Sequence, residues 1–162
     1  MADEIISQEY LQTIFDYKDG QLYRKIKVNN QSLGFVGSKE KKGYLCVSIN
    51  GKRYKVHRII WFLQHNFWPE QIDHINGIKN DNRIENLREA SSSQNNQNSK
   101  IRKDNISGVK GVSWHKHKQR WLAKIDVDKK RIQLGYFKSL KSAKSAITKA
   151  RNKYHKEFAN HS

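Results

Sequence analysis

The sequence predicts an α+β protein made of two small modules, and three observations lead to this fold class. The chain has 162 residues, which leaves little room for one large core. Segments with the spacing of amphipathic helices are mixed with short segments in which apolar and polar residues alternate. Hydrophobic residues make up 36% of the chain and aromatic residues 10%, which suits small folded modules better than a disordered tail. We expect one module at residues 1–100, a linker at residues 101–106 and a second module at residues 107–162.

The N-terminal module is predicted to contain two helices and at least one hairpin. Ser7 is a suitable N-cap for a short amphipathic helix. The pair Asn50-Gly51 lies between two alternating segments and is a strong hairpin signal, because both residues tolerate a positive φ. A second helix is predicted from about His57, and Pro69 is expected to stop it.

The C-terminal module is predicted to be a three-stranded antiparallel sheet packed on one helix. Three β-like segments, joined by polar turns, occupy residues 109–115, 120–127 and 131–137. Ser139 then caps a segment in which apolar residues recur every three or four positions as far as Phe158, which is typical of an amphipathic helix of about five turns. Trp114 shares strand parity with Val112, and Trp121 with Ala123 and Ile125, so we expect both tryptophans in the core beneath the helix.

Positive charge is concentrated in the C-terminal third of the chain, which has a net charge of +17. Residues 1–99 contain 14 basic and 11 acidic side chains, a net charge of +3, whereas residues 100–162 contain 18 and 4, a net charge of +14. Such an excess requires a polyanionic partner. The C-terminal module is therefore expected to supply most of the electrostatic attraction.

The sequence also restricts the cellular location and the ligands of any metal. No apolar run approaches the roughly 20 residues of a membrane span, and the first ten residues are acidic where a signal peptide would be basic and then apolar. We therefore expect a soluble, intracellular protein with no membrane partner. Cys46 is the single cysteine, which excludes a disulfide framework and a zinc site built from cysteines. Any metal must be held by oxygen and imidazole ligands.

The residues with catalytic potential are concentrated between positions 72 and 98. Asp73 and His74 are adjacent at the end of a short apolar run, and in an extended segment their side chains point to opposite sides, so one can bind a metal while the other acts on a substrate. A return strand at residues 87–90, followed by a helix that carries Asn95, would close around the same point. One carboxylate, one amide oxygen and a substrate phosphate suit Mg²⁺, which prefers oxygen ligands and keeps several waters.

Eight residues in this stretch match the pattern D-H-x-[DN]-G…N-x-x-N-L-[RKE]…N: Asp73, His74, Asn76, Gly77, Asn86, Leu87, Arg88 and Asn95. On these residues the sequence resembles HNH endonucleases, specifically the free-standing phage homing endonucleases with a ββα-metal nuclease motif. The resemblance implies that His74 is the general base and that Asn86 ties the loop and orients the base. It also implies that Asp73 and Asn95 hold one divalent metal ion, Mg²⁺ or alternatively Mn²⁺. The last motif position is Asn rather than His, and Asn96 and Asn98 remain alternative ligands.

The segments SGVKGVSW, WLAKI and LGYF, followed by an Ala-rich helix, occupy the C-terminal module. On these segments the module resembles the Apetala-type DNA-binding domain of plant ethylene-response factors, which also occurs in phage HNH endonucleases. In that fold the open face of the sheet enters the major groove of DNA. The positions that the resemblance implies as DNA contacts are Lys110, Ser113, His115, Lys118, Lys124, Asp126, Arg131 and Gln133.

Two further residues have two interpretations that the sequence leaves open. His57 and Arg58 stand at the predicted start of the second helix. Either they contact a DNA phosphate, or they only cap and solvate the helix.

These features predict a divalent-metal-dependent endonuclease that hydrolyses phosphodiester bonds of double-stranded DNA. We expect no small-molecule cofactor, a monomer or weak dimer, and a bacteriophage protein that acts in a bacterial host. The alternative is a catalytically inactive DNA-binding regulator or architectural protein. A basic RNA-binding protein fits less well, because the resembling sheet reads a major groove that duplex RNA does not present.

Overall fold

The structure is a computed structural model that describes residues 6–28, 31–128 and 130–159. The chain divides into two compact units, Met1–Ala90 and Ser91–Ser162. Both units combine helices with antiparallel strands, so the predicted α+β class is confirmed. None of the helices in the described ranges is long and apolar enough to cross a membrane.

Within its described residues, the first unit contains two helices and eight short strands. In chain order these are α1 (Gln8–Ile14), β1 (Phe15–Lys18), β2 (Gln21–Arg24), β3 (Gly34–Val36), β4 (Ser38–Lys39), β5 (Leu45–Ile49), β6 (Lys52–Lys55), α2 (Val56–His65), β7 (Gln71–His74) and β8 (Leu87–Ala90). The strands pair antiparallel as β1-β2-β3, as β4-β5-β6 and as the hairpin β7-β8.

Local sequence signals account for the boundaries of several of these elements. The Ser7 hydroxyl accepts a hydrogen bond from the Tyr10 backbone N–H, which confirms the predicted N-cap of α1. Asn50 and Gly51 have φ angles of 50° and 75° between β5 and β6, as the hairpin prediction requires. The prediction that Pro69 stops α2 is wrong, because Asn66 adopts the left-handed conformation and ends the helix three residues earlier.

The core of the first unit is formed by α1, α2 and the inward faces of the strands. Its most deeply buried side chains are Leu11, Ile14, Leu22, Val56, Ile59 and Ile60, all no more than 1% exposed. Ile72 of β7 and Leu87 of β8 belong to the same cluster. The packed face of α2 therefore anchors the hairpin that carries the candidate active site.

The second unit, as far as the structure describes it, contains two helices and one three-stranded sheet. Its elements are α3 (Ser92–Asn98), β9 (Val112–His115), β10 (Arg120–Val127), β11 (Lys130–Phe137) and α4 (Leu140–Tyr154). The strand order is β11-β10-β9, fully antiparallel, and α4 packs on one face. The buried residues of this core are Val112, Ala123, Ile125, Ala143, Ile147 and Ala150. The predicted sheet packed on one helix is confirmed, and α3, expected in the first module, lies in the second unit.

Three details of the second unit differ from the sequence-based expectations. Strand β9 begins at Val112 rather than at residue 109, because Gly111, just before it, has a φ of 79° and is not extended. Glycine is required at this position, since a Cβ there would lie 2.5 Å from the Lys124 carbonyl oxygen. Helix α4 ends at Tyr154, and Phe158 is buried from a separate 3₁₀ turn. The prediction that Trp114 is a core residue is wrong, since its side chain is 47% exposed and packs edge-on against Trp121.

Candidate active site

In the hairpin β7-β8, Asp73 and His74 are the last two residues of β7, where the loop to β8 begins. Asp73 is paired in register with Arg88, and His74 with Leu87, so the predicted return strand is confirmed. Asp73 and His74 are each 4% exposed, and successive residues of a strand direct their side chains to opposite faces. The prediction that Asp73 and His74 lie in an extended segment is confirmed, and the structure adds that both are buried.

His74 is held by a residue that the sequence analysis did not identify. Its Nε2 lies 3.0 Å from Oδ1 of Asn82, and Asn82 is only 1% exposed. With the amide oxygen facing the ring, Nε2 carries the hydrogen and donates it, because an amide oxygen can only accept. The neutral ring then has its unprotonated nitrogen at Nδ1. Burial lowers the pKa of His74 below its usual value, although the Asn82 hydrogen bond and the nearby Asp73 and Asp81 act in the opposite direction.

Asn86 ties the loop, as predicted, but the imidazole contact belongs to Asn82. The Asn86 Nδ2 donates to the Asp81 carbonyl at 2.7 Å and to Asn76 Oδ1 at 3.1 Å, and its Oδ1 accepts from the Asn76 backbone N–H at 3.0 Å. These bonds cross the loop between β7 and β8, which fixes its shape. The side chain that hydrogen-bonds to the His74 ring is that of Asn82, and the base-orienting role that the resemblance implies for Asn86 stays a prediction. The sequence signal that could have indicated Asn82 is its position in the run Asn-Asp-Asn at residues 80–82.

The carboxylate of Asp73 is bound by Arg88 from the opposite strand. Oδ2 of Asp73 accepts from Nη2 of Arg88 at 2.7 Å and from Nε at 2.9 Å. The cross-strand register places these two residues opposite each other, and both are largely buried. The guanidinium balances the charge of a carboxylate that would otherwise be costly to bury.

The divalent metal ion predicted at this hairpin stays a prediction. Within the described ranges no group of three or more His, Cys, Asp or Glu side chains lies close enough together to hold a metal ion. One carboxylate with amide oxygens is the kind of partial oxygen site that Mg²⁺ completes with water and substrate phosphate.

An aromatic cluster surrounds His74 in the first unit. The centroid of the Tyr44 ring lies 5.9 Å from that of His74 and 5.3 Å from that of His57, and the two imidazoles are 5.0 Å apart. His57 is 4% exposed, and burial lowers its pKa well below the usual value. His57 is therefore a buried, neutral ring that packs against His74, and we do not retain the interpretation that it contacts DNA.

Arg58 braces the segment that enters β7. Its Nη2 donates to the Pro69 carbonyl at 3.0 Å, and its guanidinium lies 5.8 Å from the centroid of the Trp68 ring. These contacts give Arg58 a structural role between α2 and β7, which was not among the two interpretations left open by the sequence.

Asn95 lies on α3, in the second unit, with a half-buried side chain. The helix starts with a capping box in which the Ser91 hydroxyl accepts from the Gln94 N–H while the Gln94 side chain accepts from the Ser91 N–H. Asn98 is buried and Asn96 is exposed. The position of Asn95 on α3 is thus fixed by a strong local capping signal.

Six of the residues expected to contact DNA lie on strands or turns of the second unit away from α4. Lys124 pairs with Gln133 and Asp126 with Arg131 across β10 and β11, and directly opposed residues share a face of the sheet. Arg131 donates to Asp126 from Nε at 2.7 Å and from Nη2 at 3.0 Å. Ser113 is exposed on β9, and His115 Nδ1 accepts from the Lys118 backbone N–H. We call this the open face: Ser113, His115, Lys124, Asp126, Arg131 and Gln133.

Two cations of the expected DNA-contact set differ in their surroundings. Lys118 is exposed next to the open face, and its Nζ lies 4.1 Å from the centroid of the Tyr136 ring. The ammonium of Lys110, in contrast, donates to the carbonyls of Asn96, Gln97 and Ser99 at 2.6 to 3.0 Å. Burial lowers the pKa of Lys110 to about 8. Lys110 therefore caps the C-terminal end of α3, and we do not retain it as a DNA contact.

Comparison with known proteins identifies the class to which this hairpin belongs. Residues 54–97 match the family model of the HNH endonuclease, a range that includes α2, the whole β7-β8 hairpin and α3 as far as Gln97. The chain therefore contains an HNH endonuclease domain.

A curated relative adds a second comparison. The chain is 33% identical over 88 residues to Protein 3.8 of Escherichia phage T7, an alignment that covers 54% of this chain and 72% of that protein. The chain belongs to the same family as this phage protein. A phage relative supports the expected bacteriophage origin. No solved structure matches the chain.

Proposed function

We propose that the protein is a divalent-metal-dependent endonuclease that hydrolyses phosphodiester bonds of double-stranded DNA. The observation that carries this proposal is the His74 imidazole, neutral, buried and hydrogen-bonded through Nε2 to Asn82. A general base must be unprotonated at working pH and held in one orientation. His74 meets both requirements within a hairpin that matches the HNH family.

The residues of the chain have distinct tasks in this reaction. His74 takes a proton from the attacking water through Nδ1, the nitrogen that carries no hydrogen when Nε2 donates to Asn82. Asn82 keeps the ring in this tautomer and orientation. Asn86 fixes the loop from which Asn82 comes, through its bonds to Asn76 and Asp81. Because the ring is held in one orientation, the water that it deprotonates is positioned to attack the phosphorus atom.

We propose Asp73 as a ligand of the divalent metal, and the HNH resemblance implies Asn95 as the second ligand. The family match spans both residues, and both supply the oxygen ligands that Mg²⁺ prefers. When bound, such an ion polarises the phosphoryl oxygens and stabilises the leaving 3′-oxygen. Arg88 holds the Asp73 carboxylate in place by donating two hydrogen bonds to it.

We further propose that the second unit reads duplex DNA through its open face, as the Apetala-type resemblance implies. The support is a run of polar and charged side chains from β9, β10 and β11 on the side of the sheet that α4 leaves uncovered. The chain from residue 100 onward also carries most of the excess positive charge. Phosphate contacts from such a surface position the protein, and side chains that enter the groove discriminate between sequences.

Charge removal on the open face and at Lys118 beside it should weaken DNA binding more than charge removal on α4. We expect the double variant Lys118→Gln, Lys124→Gln to bind duplex DNA more weakly and to show a shallower salt dependence, by about 0.9 in log-log slope for each phosphate that the variant leaves unneutralised. The matched control is Lys141→Gln, Lys149→Gln, which removes the same charge from exposed positions of α4. Titrations at several salt concentrations measure both slopes. Equal slopes for the two double variants would contradict this assignment of the open face.

A DNA-binding regulator without catalysis is the second candidate. The observation that favours it is the Arg88 guanidinium on Asp73, because a carboxylate already engaged by a cation attracts a metal less strongly.

Incubation of supercoiled plasmid with the purified protein and Mg²⁺ distinguishes the two candidates. We expect open-circle or linear product from the endonuclease. A regulator would retard the plasmid in a gel without converting it. Retardation with no conversion over a range of metals and salt concentrations would overturn the endonuclease proposal.

A further inference from the structure

Two lysines converge on one tyrosine beside the candidate base. The Nζ of Lys55 lies 4.5 Å from the centroid of the Tyr44 ring, and the Nζ of Lys79 lies 5.0 Å from it. The same ring is 5.9 Å from His74, centroid to centroid. Lys55 ends β6, Tyr44 precedes β5 and Lys79 lies in the loop after β7, so three separate parts of the first unit meet here.

The ammonium groups of Lys55 and Lys79 both have N–H donors available to bind an anion. In the described ranges neither Lys55 nor Lys79 forms an ion pair, and Lys79 donates one hydrogen bond, to the Lys42 carbonyl at 3.0 Å. An ammonium has three N–H donors, so donors remain on both groups. Two like charges near one ring repel each other, and the negative face of the ring offsets only part of that repulsion. An anion bound by both ammonium groups would offset the remainder.

The Tyr44 hydroxyl adds a neutral donor to these two cations. Burial raises the pKa of Tyr44, and the nearby Glu40 and Asp73 raise it further, so the hydroxyl keeps its proton at working pH. Within the described part of the chain this hydroxyl forms no hydrogen bond. The Tyr44 ring lies 5.9 Å from the His74 ring, centroid to centroid, so Tyr44 stands beside the hairpin that carries the candidate base.

We propose that Tyr44, Lys55 and Lys79 form the site that binds the scissile backbone phosphate of the DNA and presents it to His74. This inference rests on the proposed endonuclease function. The lysines bind the phosphate through charge, and the Tyr44 hydroxyl donates to a non-bridging oxygen whose negative charge increases as water attacks. A nucleobase is a poorer occupant of this site, because two ammonium groups and two imidazoles already lie around the ring. A metal ion is excluded by the two positive charges.

The chain provides a matched control for the lysines. Lys52 is exposed on the same strand as Lys55, and its replacement by Gln removes one positive charge from the same unit. We expect Lys55→Gln and Lys79→Gln each to raise both KM for plasmid cleavage and the Kd for duplex DNA by about tenfold. Lys52→Gln should change them by less than about twofold. Lys55→Arg and Lys79→Arg should restore most of the affinity, because they keep the charge.

Tyr44→Phe tests the hydroxyl apart from the ring. We expect kcat to fall by about tenfold while KM and Kd stay unchanged, because the hydroxyl bond strengthens in the transition state. Thermal unfolding verifies that each variant is folded.

These outcomes separate this inference from the proposed function. If wild-type protein cleaves and the Lys55 and Lys79 variants behave as Lys52→Gln does, the phosphate site is wrong and the endonuclease stands. If wild-type protein does not cleave, the proposed function fails, and the Kd comparison alone decides whether Lys55 and Lys79 bind DNA. An unchanged kcat in Tyr44→Phe would remove Tyr44 from the site.

Discussion

Replacement of His74 by Ala should reduce DNA cleavage by about 10² to 10⁴-fold while DNA affinity stays nearly unchanged. Removal of a general base typically lowers the rate by this amount. The imidazole is 4% exposed and is held by Asn82 at 3.0 Å, and in the proposed mechanism it acts on water, so its removal should take little from the surface that binds DNA. Single-turnover cleavage at saturating DNA measures the chemical step, and a gel shift without metal measures affinity.

The control for this experiment is His65→Ala. His65 lies in the last turn of α2, is exposed and stacks on Trp61, so its removal takes an imidazole from the same unit without affecting the hairpin. We expect cleavage by this variant at close to the wild-type rate. Thermal unfolding of both variants separates loss of the base from loss of the fold. If the His74→Ala protein is folded and cleaves as fast as wild type, the assignment of the base is wrong.

Local sequence signals predicted the elements that carry the site. Asp73 and His74 were identified from their adjacency in an apolar run, and the structure places both on β7. Ser139, the N-cap of α4, and the bounds of β10 at residues 120–127 also agree with the structure. In each case the information lies within a few residues of the element, which is why periodicity and capping residues are sufficient.

Local sequence signals did not predict contacts between residues that are far apart in the sequence. Tyr44, Lys55 and Lys79 are 11 to 35 positions apart in the chain, and only the packed sheets bring them together. Asn82 contacts His74 because the loop folds back, which is a property of the whole loop and of the bonds that Asn86 makes across it. A periodic pattern of residue types does not predict that this loop folds back and brings Asn82 to His74.

Trp114 shows a different limit of sequence reasoning. It is the cross-strand partner of Trp121, and directly opposed residues share a face, so strand parity placed it on the correct side of the sheet. Trp121 packs against the core, whereas Trp114 is 47% exposed. Parity determines the face of a residue, but how far a helix extends over that face depends on tertiary packing.

Removal of the divalent metal should stop cleavage and leave DNA binding intact. Stabilisation by a bound cation contributes several kcal/mol to phosphoryl chemistry, so we expect cleavage in excess EDTA to fall by about a hundredfold or more. The affinity measured by gel shift should not change, because the basic groups that hold DNA do not require the metal. Undiminished cleavage in EDTA would remove the metal from the mechanism.

Asp73→Asn tests whether this carboxylate is the metal ligand. Asn preserves the shape of the side chain and still accepts a hydrogen bond from Arg88, but it loses the negative charge that attracts a cation. The matched control is Asp104→Asn, because Asp104 likewise accepts a hydrogen bond from an arginine, Arg102, at 3.2 Å and lies in the other unit. We expect Asp73→Asn to lose cleavage at saturating DNA and to require more Mg²⁺ for any residual activity, whereas Asp104→Asn should keep the wild-type rate and Mg²⁺ dependence. If Asp73→Asn is folded and responds to Mg²⁺ as wild type does, while EDTA still abolishes cleavage, another residue holds the metal and Asp73 serves only to pair with Arg88.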